Sequence, residues 1–500
     1  MHAPEKSIIE LYLEEQQRLQ TPVVLFAGEH ERGLAPALEP VYRNLIPLSA
    51  PGPGEQYAFE VELDSCTGCK ACVSACHSLN GLDDHEAWRD VGLLIGGTQA
   101  APFQQTVTTA CHHCADPACL NGCPVLAYEK DPRTGIVRHL DDQCIGCQYC
   151  VMMCPYDVPK YNERLGIVRK CDMCHQRLSA GEAPACVQAC PTHAIRIVSV
   201  SVQRSASPQA DTSAFLVSAP DPQLTQPTTR YVSERVPPAN VHAADASALR
   251  PQPPHWPLVV MLTLMPAAIG VQTVRLLPLG AELPAFASWV PAVAGAGGLL
   301  AATFHLGQPW RAWRVFLGLN RSWFSREAVL FGAWAGLTFL SASMHLLAPM
   351  AAFTGLLGLV CSVMIYVSTR RNFWRFSQTF PRFFGTAAVL ALALAAPRYG
   401  FFALAAKLAI ESAAQADGSV SARLLRGPLR NVALLRFGLG FLALGLFVVP
   451  GLTGRNDLAT HVAEGVAVFA ALAGEVTERS LFFRAVDAPK MPGMPAGGAT

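Results

Sequence analysis

Sixteen of the 17 cysteines lie between residues 66 and 190, in four groups of four. The first and third groups have the spacing C-x2-C-x2-C-x3-C, the second has C-x2-C-x4-C-x3-C, and the fourth has eleven residues between its two pairs. Thiolates spaced this closely are ligands for soft metals and for iron–sulfur clusters. The groups are Cys66, Cys69, Cys72 and Cys76; Cys111, Cys114, Cys119 and Cys123; Cys144, Cys147, Cys150 and Cys154; and Cys171, Cys174, Cys186 and Cys190.

The spacing favours cubane clusters over zinc or disulfides. In the bacterial run C-x2-C-x2-C-x3-C-P the fourth thiolate ligates the neighbouring cluster; three groups here end in proline, and His77 replaces it in the first. Four cysteines in eleven residues overfill a tetrahedral zinc site. Disulfides need an oxidising compartment, whereas acidic residues interrupt the apolar runs at the start of the chain and predict no secretory signal. The 16 thiolates therefore predict four 4Fe–4S clusters.

Nothing in the sequence predicts a catalytic site on this chain. There is no dinucleotide fingerprint and no nucleophile elbow. The net charge of +1 provides no broad positive field, so no nucleic-acid partner is expected. Iron–sulfur clusters alone conduct electrons, which predicts a non-catalytic redox subunit whose catalytic site lies on another polypeptide.

Composition divides the chain into a cysteine-rich part and an apolar part. Overall it is 51% hydrophobic and only 15% charged, against about 25% charged in typical globular proteins. The expected fold class is an α+β ferredoxin-like multi-cluster iron–sulfur domain fused to an all-α membrane bundle of eight transmembrane helices. The predicted boundaries are an N-terminal extension (1–56), a four-cluster electron-transfer domain (57–200), a flexible or extended Pro/Ser/Ala-rich linker (201–256), a membrane anchor (257–487) and a tail (488–500).

Apolar runs near the length of a membrane span follow residue 256. They lie near 257–274, 285–304, 327–347, 351–369, 383–397, 398–413, 432–449 and 461–482. Pro397 and Arg398 interrupt one run, so seven spans are the alternative. Eight spans put fourteen Lys and Arg on the N-terminal side and three opposite, whereas seven divide them nine to seven. The positive-inside rule favours eight spans in the inner membrane, with the iron–sulfur domain on the cytoplasmic side. The alternative is that these arginines bind the soluble subunits of the complex and do not set the topology.

Both parts resemble subunits of the dimethyl sulfoxide reductase family of molybdoenzymes. Residues 57–198 resemble its iron–sulfur electron-transfer subunit through CTGCKACVSACH, ACHHCADPACLNGCP, CIGCQYCVMMCPYDVPKY and KCDMCHQRL. Residues 257–485 resemble its eight-span anchor through His305-Leu306-Gly307-Gln308-Pro309 and Ser325-Arg326-Glu327. Sulfite dehydrogenase complexes are similar in both parts. The resemblance implies a molybdopterin-containing catalytic partner, with sulfoxide reduction or sulfite oxidation as the reaction.

The resemblance also implies how the cysteines share clusters. In some relatives tryptophan occupies the position of Cys147, and that cluster loses an iron; the cysteine here implies four full cubanes. The implied sets are Cys66, Cys69, Cys72 and Cys190, nearest the catalytic subunit; Cys171, Cys174, Cys186 and Cys76; Cys111, Cys114, Cys119 and Cys154; and Cys144, Cys147, Cys150 and Cys123, nearest the membrane.

Three ionisable residues near span ends suggest a quinone site. His305 ends the second predicted span, and Arg326 and Glu327 begin the third at the same membrane face. An imidazole and a carboxylate can hydrogen-bond quinone oxygens and exchange protons. The alternative is an interfacial histidine and an Arg–Glu pair at a helix start. The resemblance favours the quinone, menaquinone or ubiquinone, as the membrane partner together with lipid.

A second function class is the redox subunit of an ion-pumping membrane complex. Transporters carry buried charge at mid-membrane depth. The sequence shows little such charge, mainly Lys407 and Arg436, each near the end of a span. Glu475 and Arg479 are four residues apart and are predicted to pair with each other. The relay between quinone and molybdoenzyme is therefore the preferred function.

Overall fold

The computed structural model describes residues 42–202, 215–283, 285–341, 343–453 and 458–495, with six single residues between 8 and 32. Most of the predicted N-terminal extension and the end of the tail therefore lie outside the described residues. Two regions follow one another along the chain, a cysteine-rich domain of short elements and a bundle of long helices.

The cysteine-rich domain is built on small sheets. One sheet has the strand order β8-β1-β9 and another has β10-β2-β3, while β4 pairs with β5 and β6 with β7. β1 runs antiparallel to β8, so that Phe59 lies opposite Ile197, and both side chains are buried. The strands are β1 Glu55–Glu62, β2 Asp90–Gly97, β3 Pro102–Thr109, β4 Tyr128–Lys130, β5 Val137–His139, β6 Lys160–Asn162, β7 Ile167–Arg169, β8 Ile195–Ser201, β9 Arg230–Val232 and β10 His242–Ala243.

Each group of cysteines places a short helix immediately after or among its ligands. Three of these helices begin after a residue in the left-handed conformation, which closes the tight cysteine loop: Lys70 (φ 62°), Gln148 (φ 58°) and Cys174 (φ 49°). The helices are α1 Ala71–Leu79, α2 Ala118–Gly122, α3 Tyr149–Met153, α4 His175–Ser179 and α5 Ala185–Gln188.

The described part of the predicted linker, residues 215–255, is extended and packed against the cysteine-rich domain. β9 adds to β1 in parallel, and β10 adds to β2 antiparallel. The Thr228 hydroxyl donates to the His112 carbonyl (2.9 Å). These backbone and side-chain bonds order a segment whose composition alone carries no periodic pattern.

Eight helices of at least 15 residues follow in the described part of the chain, close to the eight predicted runs. The interrupted run 383–413 is two helices that pack on each other, the second starting at Pro397, where proline suits the first helical turn. The long helices are α6 Trp256–Val274, α7 Val290–Phe304, α8 Trp323–Ser341, α9 Ala348–Val367, α10 Phe376–Ala395, α11 Pro397–Ala416, α13 Arg430–Thr453 and α14 Leu458–Arg484, with the shorter α12 Val420–Arg426 between them.

Not all of these helices have the character of a membrane span. Among the described residues, five are long and apolar enough: α6, the stretch His345–Val367 that ends with α9, α10, α13 over Arg430–Val448, and α14. A sixth candidate joins α7 to the 3-10 helix Pro309–Gly318, with a bend of 100°. The helical region is thus a multi-pass membrane region with five or six apolar candidate spans.

The two regions share one hydrophobic core. Buried residues around the third cysteine group, such as Ile145 and Tyr149, form one cluster with Leu262, Phe331 and Phe483 of the membrane helices. The cysteine-rich domain is therefore seated directly on one end of the bundle.

Candidate metal centres and their membrane contact

The first cysteine group shares a cavity with the last cysteine of the fourth group. The cavity wall includes Cys66, Cys69, Cys72 and Cys190. Gly68 has φ +72°, a left-handed conformation that favours glycine, and an added Cβ would lie 3.0 Å from Thr106. Cys69 is exposed, so this set of thiols reaches the domain surface.

A second cavity joins the second cysteine group to the end of the third. Its wall includes Cys111, Cys114, Cys119 and Cys154. Cys154 directly follows helix α3, so the last thiol of the third group serves a cavity formed mainly by another group. Lys170 also lines this cavity.

The remaining thiols of the fourth group lie beside the last cysteine of the first. Burial raises the pKa of the Cys76 thiol, and the nearby thiolates of Cys186 and Cys174 raise it further. Burial raises the pKa of the Cys171 thiol, and the nearby thiolates of Cys111, Cys76 and Cys186 raise it further. Helices α1 and α5 pack together and hold these side chains in place.

The remaining thiols of the third group lie beside the last cysteine of the second. Burial raises the pKa of the Cys147 thiol, and the thiolates of Cys123 and Cys144 add to the rise. Burial also raises the pKa of the Cys150 thiol, and the thiolates of Cys147, Cys144 and Cys123 raise it further. The structure thus brings together the same four sets of four cysteines that the family resemblance implies.

The surroundings of the sulfur atoms fit iron–sulfur clusters. Backbone N–H groups donate to thiols in all four sets, and such donors stabilise cluster-bound sulfur. In the described residues, no three His, Cys, Asp or Glu side chains are arranged to hold a single metal ion. The donors are Gly146 to Cys144 (3.4 Å), Met173 to Cys171 (3.4 Å), His113 to Cys111 (3.5 Å), Ala127 to Cys123 (3.2 Å) and Ala194 to Cys190 (3.2 Å).

A loop after α7 docks onto the third cysteine group through glycines. A Cβ on Gly307 would lie 2.1 Å from the Gly166 carbonyl oxygen, and one on Gly146 would lie 2.9 Å from Gly307. Gln308 then donates twice across the contact: its N–H donates to the Ile145 carbonyl (3.0 Å), and its amide donates to the Leu165 carbonyl (2.8 Å). The loop is therefore bound closely against the Cys144–Cys147 turn.

Several of the loop arginines contact the cysteine-rich domain. Arg311 donates to the Cys144 carbonyl (3.2 Å), and Arg371 donates to the Met152 carbonyl (3.0 Å). Arg314 donates to the Gln143 amide oxygen (2.9 Å). These arginines therefore bind the cysteine-rich domain of the same chain; whether loop arginines also bind partner subunits stays a prediction.

His305 lies at this contact, beside the cysteine set nearest the helices. It ends α7, is only 8% exposed, and hydrogen-bonds the backbone of Cys147. Its ring meets that of His255 edge to face, with 5.4 Å between centroids. In the described part of the chain its Nε2 has no hydrogen-bond partner, so one imidazole nitrogen is available to a ligand.

The side chains of Arg326 and Glu327 have different hydrogen-bond partners. Arg326 donates to the Leu319 and Asn320 carbonyls (3.0 and 3.1 Å), so it holds its own loop. Glu327 is buried and accepts a hydrogen bond from Ser362. Among the described residues, no direct hydrogen bond or ion pair joins either residue to His305.

The structure also reveals buried residues that sequence reasoning missed. Arg89 and Lys170 are each 2% exposed and lie among cysteines of different sets. The only local signal was the position of Lys170 directly before Cys171. His255, next to His305, lies in a segment predicted to be a linker and carried no signal.

Comparison with known proteins assigns both regions. The family described as "4Fe-4S dicluster domain" matches residues 103–200, and the family described as "DMSO reductase anchor subunit (DmsC)" matches residues 284–396. The protein is similar to the B subunit of the anaerobic dimethyl sulfoxide reductase of Haemophilus influenzae, with 37% identity over 182 residues, 35% of this chain and 87% of that protein.

Two further relatives come from Escherichia coli. The B subunit of its anaerobic dimethyl sulfoxide reductase is 38% identical over 148 residues, 28% of this chain and 72% of that protein. Its formate dehydrogenase-O iron-sulfur subunit is 34% identical over 158 residues, 28% of this chain and 52% of that protein. The chain therefore belongs to the dimethyl sulfoxide reductase family, as an iron–sulfur electron-transfer subunit fused to the membrane anchor subunit of the same type of complex.

Proposed function

We propose that this chain carries electrons between a membrane quinone and a separate molybdopterin-containing catalytic subunit, through four 4Fe–4S clusters. One observation carries the proposal: the four thiol sets form an unbroken series from the domain surface to the membrane helices. Cys72 of the first set neighbours Cys186 of the second, and Cys171 of the second neighbours Cys111 of the third. Tyr128 lies between the third and fourth sets.

The proposed ligands are the four sets that meet in space. When bound, each cluster would supply a one-electron redox step. The thiolates hold the clusters in series, and burial of the inner sets excludes water from the path. The sets are Cys66, Cys69, Cys72 and Cys190; Cys76, Cys171, Cys174 and Cys186; Cys111, Cys114, Cys119 and Cys154; and Cys123, Cys144, Cys147 and Cys150.

Metal analysis tests the cluster count. Anaerobically purified protein should contain about sixteen irons per chain and as much acid-labile sulfide, because four cubanes use every clustered cysteine. Cys147→Ser should change the EPR signal of one cluster. Cys361→Ser is the matched control, since Cys361 lies in α9 outside the four sets, and it should leave iron and spectrum unchanged. Stoichiometric zinc with almost no iron would overturn the proposal.

The quinone is proposed to bind beside His305, with Glu327 exchanging protons nearby and Arg326 supporting the loop. Contact between His305 and Cys147 supports this, because a ligand on the imidazole would be close to the fourth thiol set. A buried carboxyl held by a hydroxyl, as Glu327 is by Ser362, is suited to proton transfer. The imidazole would hydrogen-bond a quinone oxygen and orient the ring.

A pair of histidine variants tests the quinone site. His305→Ala should weaken binding of a quinone analogue and lower quinone turnover by about 100-fold, the lower end of general acid–base effects, while iron content stays at its normal level. His345→Ala provides the control, because His345 is exposed at a different end of the helices. Equal quinone kinetics in the two variants would remove His305 from the site.

Eight transmembrane helices are proposed for the membrane region, with both its ends and the iron–sulfur domain on the cytoplasmic side of the inner membrane. The eight long helices and the loop charges support this topology. The proposed domains keep the boundaries 1–56, 57–200, 201–256, 257–487 and 488–500. A reporter fused to the C-terminus should be active in its cytoplasmic form only, and activity outside would contradict the topology.

The catalytic partner is proposed to dock where Cys69 reaches the surface and to reduce a sulfoxide or oxidise sulfite. Electron transfer between the quinone and the catalytic subunit is preferred over ion pumping as the function of the membrane region. One observation favours ion pumping: α10, α11, α13 and α14 bury seven ionisable side chains. This charge lies in the half of the helices near the iron–sulfur domain. Among the described residues of the opposite half, Leu404, Ala443, Phe447 and Ala470 form one buried apolar cluster, and no ionisable side chain there is buried.

A further inference from the structure

Arg89 is a buried cation at the junction of the first two thiol sets. It is 2% exposed, and its guanidinium lies 4.7 Å from the centre of the Phe59 ring. Its Nη1 donates to the Thr108 hydroxyl (3.1 Å), which lies 3.5 Å from the Cys72 sulfur. On the other side it faces Cys186 and Cys171 of the second set. The guanidinium is charged at every physiological pH.

Lys170 occupies the corresponding position between the second and third sets. Its ammonium donates to the carbonyls of Val137 and of Cys171 (2.8 Å for the second), and lies 3.6 Å from the Cys111 sulfur. Three acceptors match the three N–H donors of an ammonium group. Lys170 therefore contacts a second-set residue with one bond and a third-set ligand with another.

Neither cation has a carboxylate partner. In the described part of the chain no ion pair with Asp or Glu is formed by Arg89 or Lys170, although both are almost wholly buried. An isolated charge in a protein interior is strongly destabilised by its lost hydration. The negative charges that act on Arg89 are thiolates, and those that act on Lys170 are three thiolates and, more weakly, the Asp172 carboxylate. The negative charge of the bound clusters is therefore the main counter-charge for both cations.

We propose that Arg89 and Lys170 set the reduction potentials of the clusters they separate, Arg89 those of the first and second and Lys170 those of the second and third. This inference rests on the proposed ligand sets. Reduction adds one electron to a cluster, breaks no bond and moves no proton, so the acceptor becomes more negative by one charge. A buried cation nearby stabilises that state and raises the potential, with little screening by salt.

The third junction is built differently. Tyr128 lies between Cys119 of the third set and Cys150 of the fourth, and it is an uncharged phenol. Removing either cation should therefore leave the fourth cluster, nearest the helices, almost unaffected. The first two junctions thus contain a buried cation, whereas the third contains an uncharged phenol.

Redox titration of the intact complex, followed by EPR with dithionite as reductant, tests the proposal. Lys170→Met removes the charge and keeps most of the side-chain volume. It should lower the reduction potential of the third cluster. At a fixed applied potential, the ratio of reduced to oxidised cluster should fall at least about tenfold, which corresponds to about 59 mV for a one-electron couple. Arg89→Gln should lower the first and second clusters in the same way. In both variants the fourth cluster should keep its potential.

Lys130→Met is the matched control. Lys130 donates to the carbonyls of Cys114 and Ala115 (3.0 Å each) beside the third set, but it is half-buried, so solvent screens its charge. Its removal should shift the third cluster less than Lys170→Met does. Lys170→Arg and Arg89→Lys keep the charge and should restore potentials towards the wild-type values.

Two results would overturn the inference. One is a failure of the potentials to respond to charge. It would be seen as four intact clusters with unchanged potentials in Lys170→Met and Arg89→Gln, or as equal shifts in Lys130→Met and Lys170→Met. The other is loss of iron in both neutral variants, with iron retained and potentials unmoved in the charge-keeping ones, which would assign a structural role. Iron content of the wild-type chain separates these results from failure of the proposed function, since a chain without four clusters fails before any potential is measured.

Discussion

Buried positive charge is compensated in two different ways in the two regions of this molecule. In the cysteine-rich domain, Arg89 and Lys170 are surrounded by thiols and carbonyls. In the membrane helices, Lys407 and Arg436 are equally buried but share the carboxylate of Glu475. We expect the first region to obtain its counter-charge from bound clusters, whereas the second supplies its own carboxylates.

The membrane charges form one connected network. Arg436 binds Glu411 through two hydrogen bonds of 2.8 Å, and Lys407 lies 3.6 Å from Glu478. Thr386 adds a hydroxyl between Lys407 and Glu475. The remaining members are Arg382, 3.4 Å from Glu478, and Arg479, 3.6 Å from the same carboxylate.

The difference indicates which part of the fold depends on cofactor. Charges that compensate one another are stable as soon as the helices pack, because both members come from the chain itself. Charges that face thiolates need the metal centre to be present. The membrane half should therefore fold without iron, and the cysteine-rich half should not.

The largest expected effect comes from breaking the network in the membrane. Glu475→Gln leaves Lys407 and Arg436 without their shared carboxylate, and loss of one partner of a buried ion pair costs about 3–5 kcal/mol. The free energy of unfolding in detergent measures the loss. Glu464→Gln on the same helix is the control, because Glu464 is partly exposed beside His461, and it should cost under about 0.5 kcal/mol. Similar losses in both variants would show that the buried network does not contribute more to the free energy of unfolding than an exposed carboxylate does.

Removal of iron should give an intermediate effect confined to one region. After anaerobic chelation, amide hydrogen exchange around residues 66–190 should accelerate at least about tenfold, because Arg89 and Lys170 lose their counter-charge and the thiols lose their clusters. Exchange in α10, α11, α13 and α14 should stay within about twofold of the untreated protein. Equal acceleration in both regions would contradict the separation.

The smallest effect is expected for an ion pair whose cation is exposed. Lys490 binds Asp245, and its side chain is 42% exposed. Lys490→Gln should reduce the free energy of unfolding by only about 0.2–1 kcal/mol, since solvent screens the charge and Asp245 keeps the Gly493 N–H (3.0 Å). A loss as large as that of Glu475→Gln would mean that burial does not control the energy of these pairs.

Much of the cysteine-rich domain could be predicted because its chemistry is local. Spacings of two or three residues place thiolates on one tight turn, and the left-handed residues Gly68 and Gly146 lie inside those turns. The family assignment is confirmed, as is a multi-pass region that follows the cysteines. Eight spans, four clusters and the quinone site stay predictions.

Contacts between residues of different helices could not be predicted as well. Glu475 and Arg479 are four residues apart on one helix, yet Glu475 pairs with Lys407 and Arg436 from other helices, so the predicted pair was wrong. Sparse charge at mid-membrane depth stays a prediction, but the sequence did not indicate that ionisable residues near several helix ends converge when α10, α11, α13 and α14 pack. Arg326 binds its own loop rather than the surroundings of His305.

The sequence by itself determined the ligand chemistry, the apolar helices and the order of the two regions, because each of these is written in short-range spacing and composition. Only the tertiary structure decided which charges are buried together, that Gly307 docks on Gly146 and Gly166, and that Arg89 and Lys170 lie between cysteine sets. These contacts join residues tens to hundreds of positions apart. Their partners are selected by the packing of whole elements, for which the local sequence carries no signal.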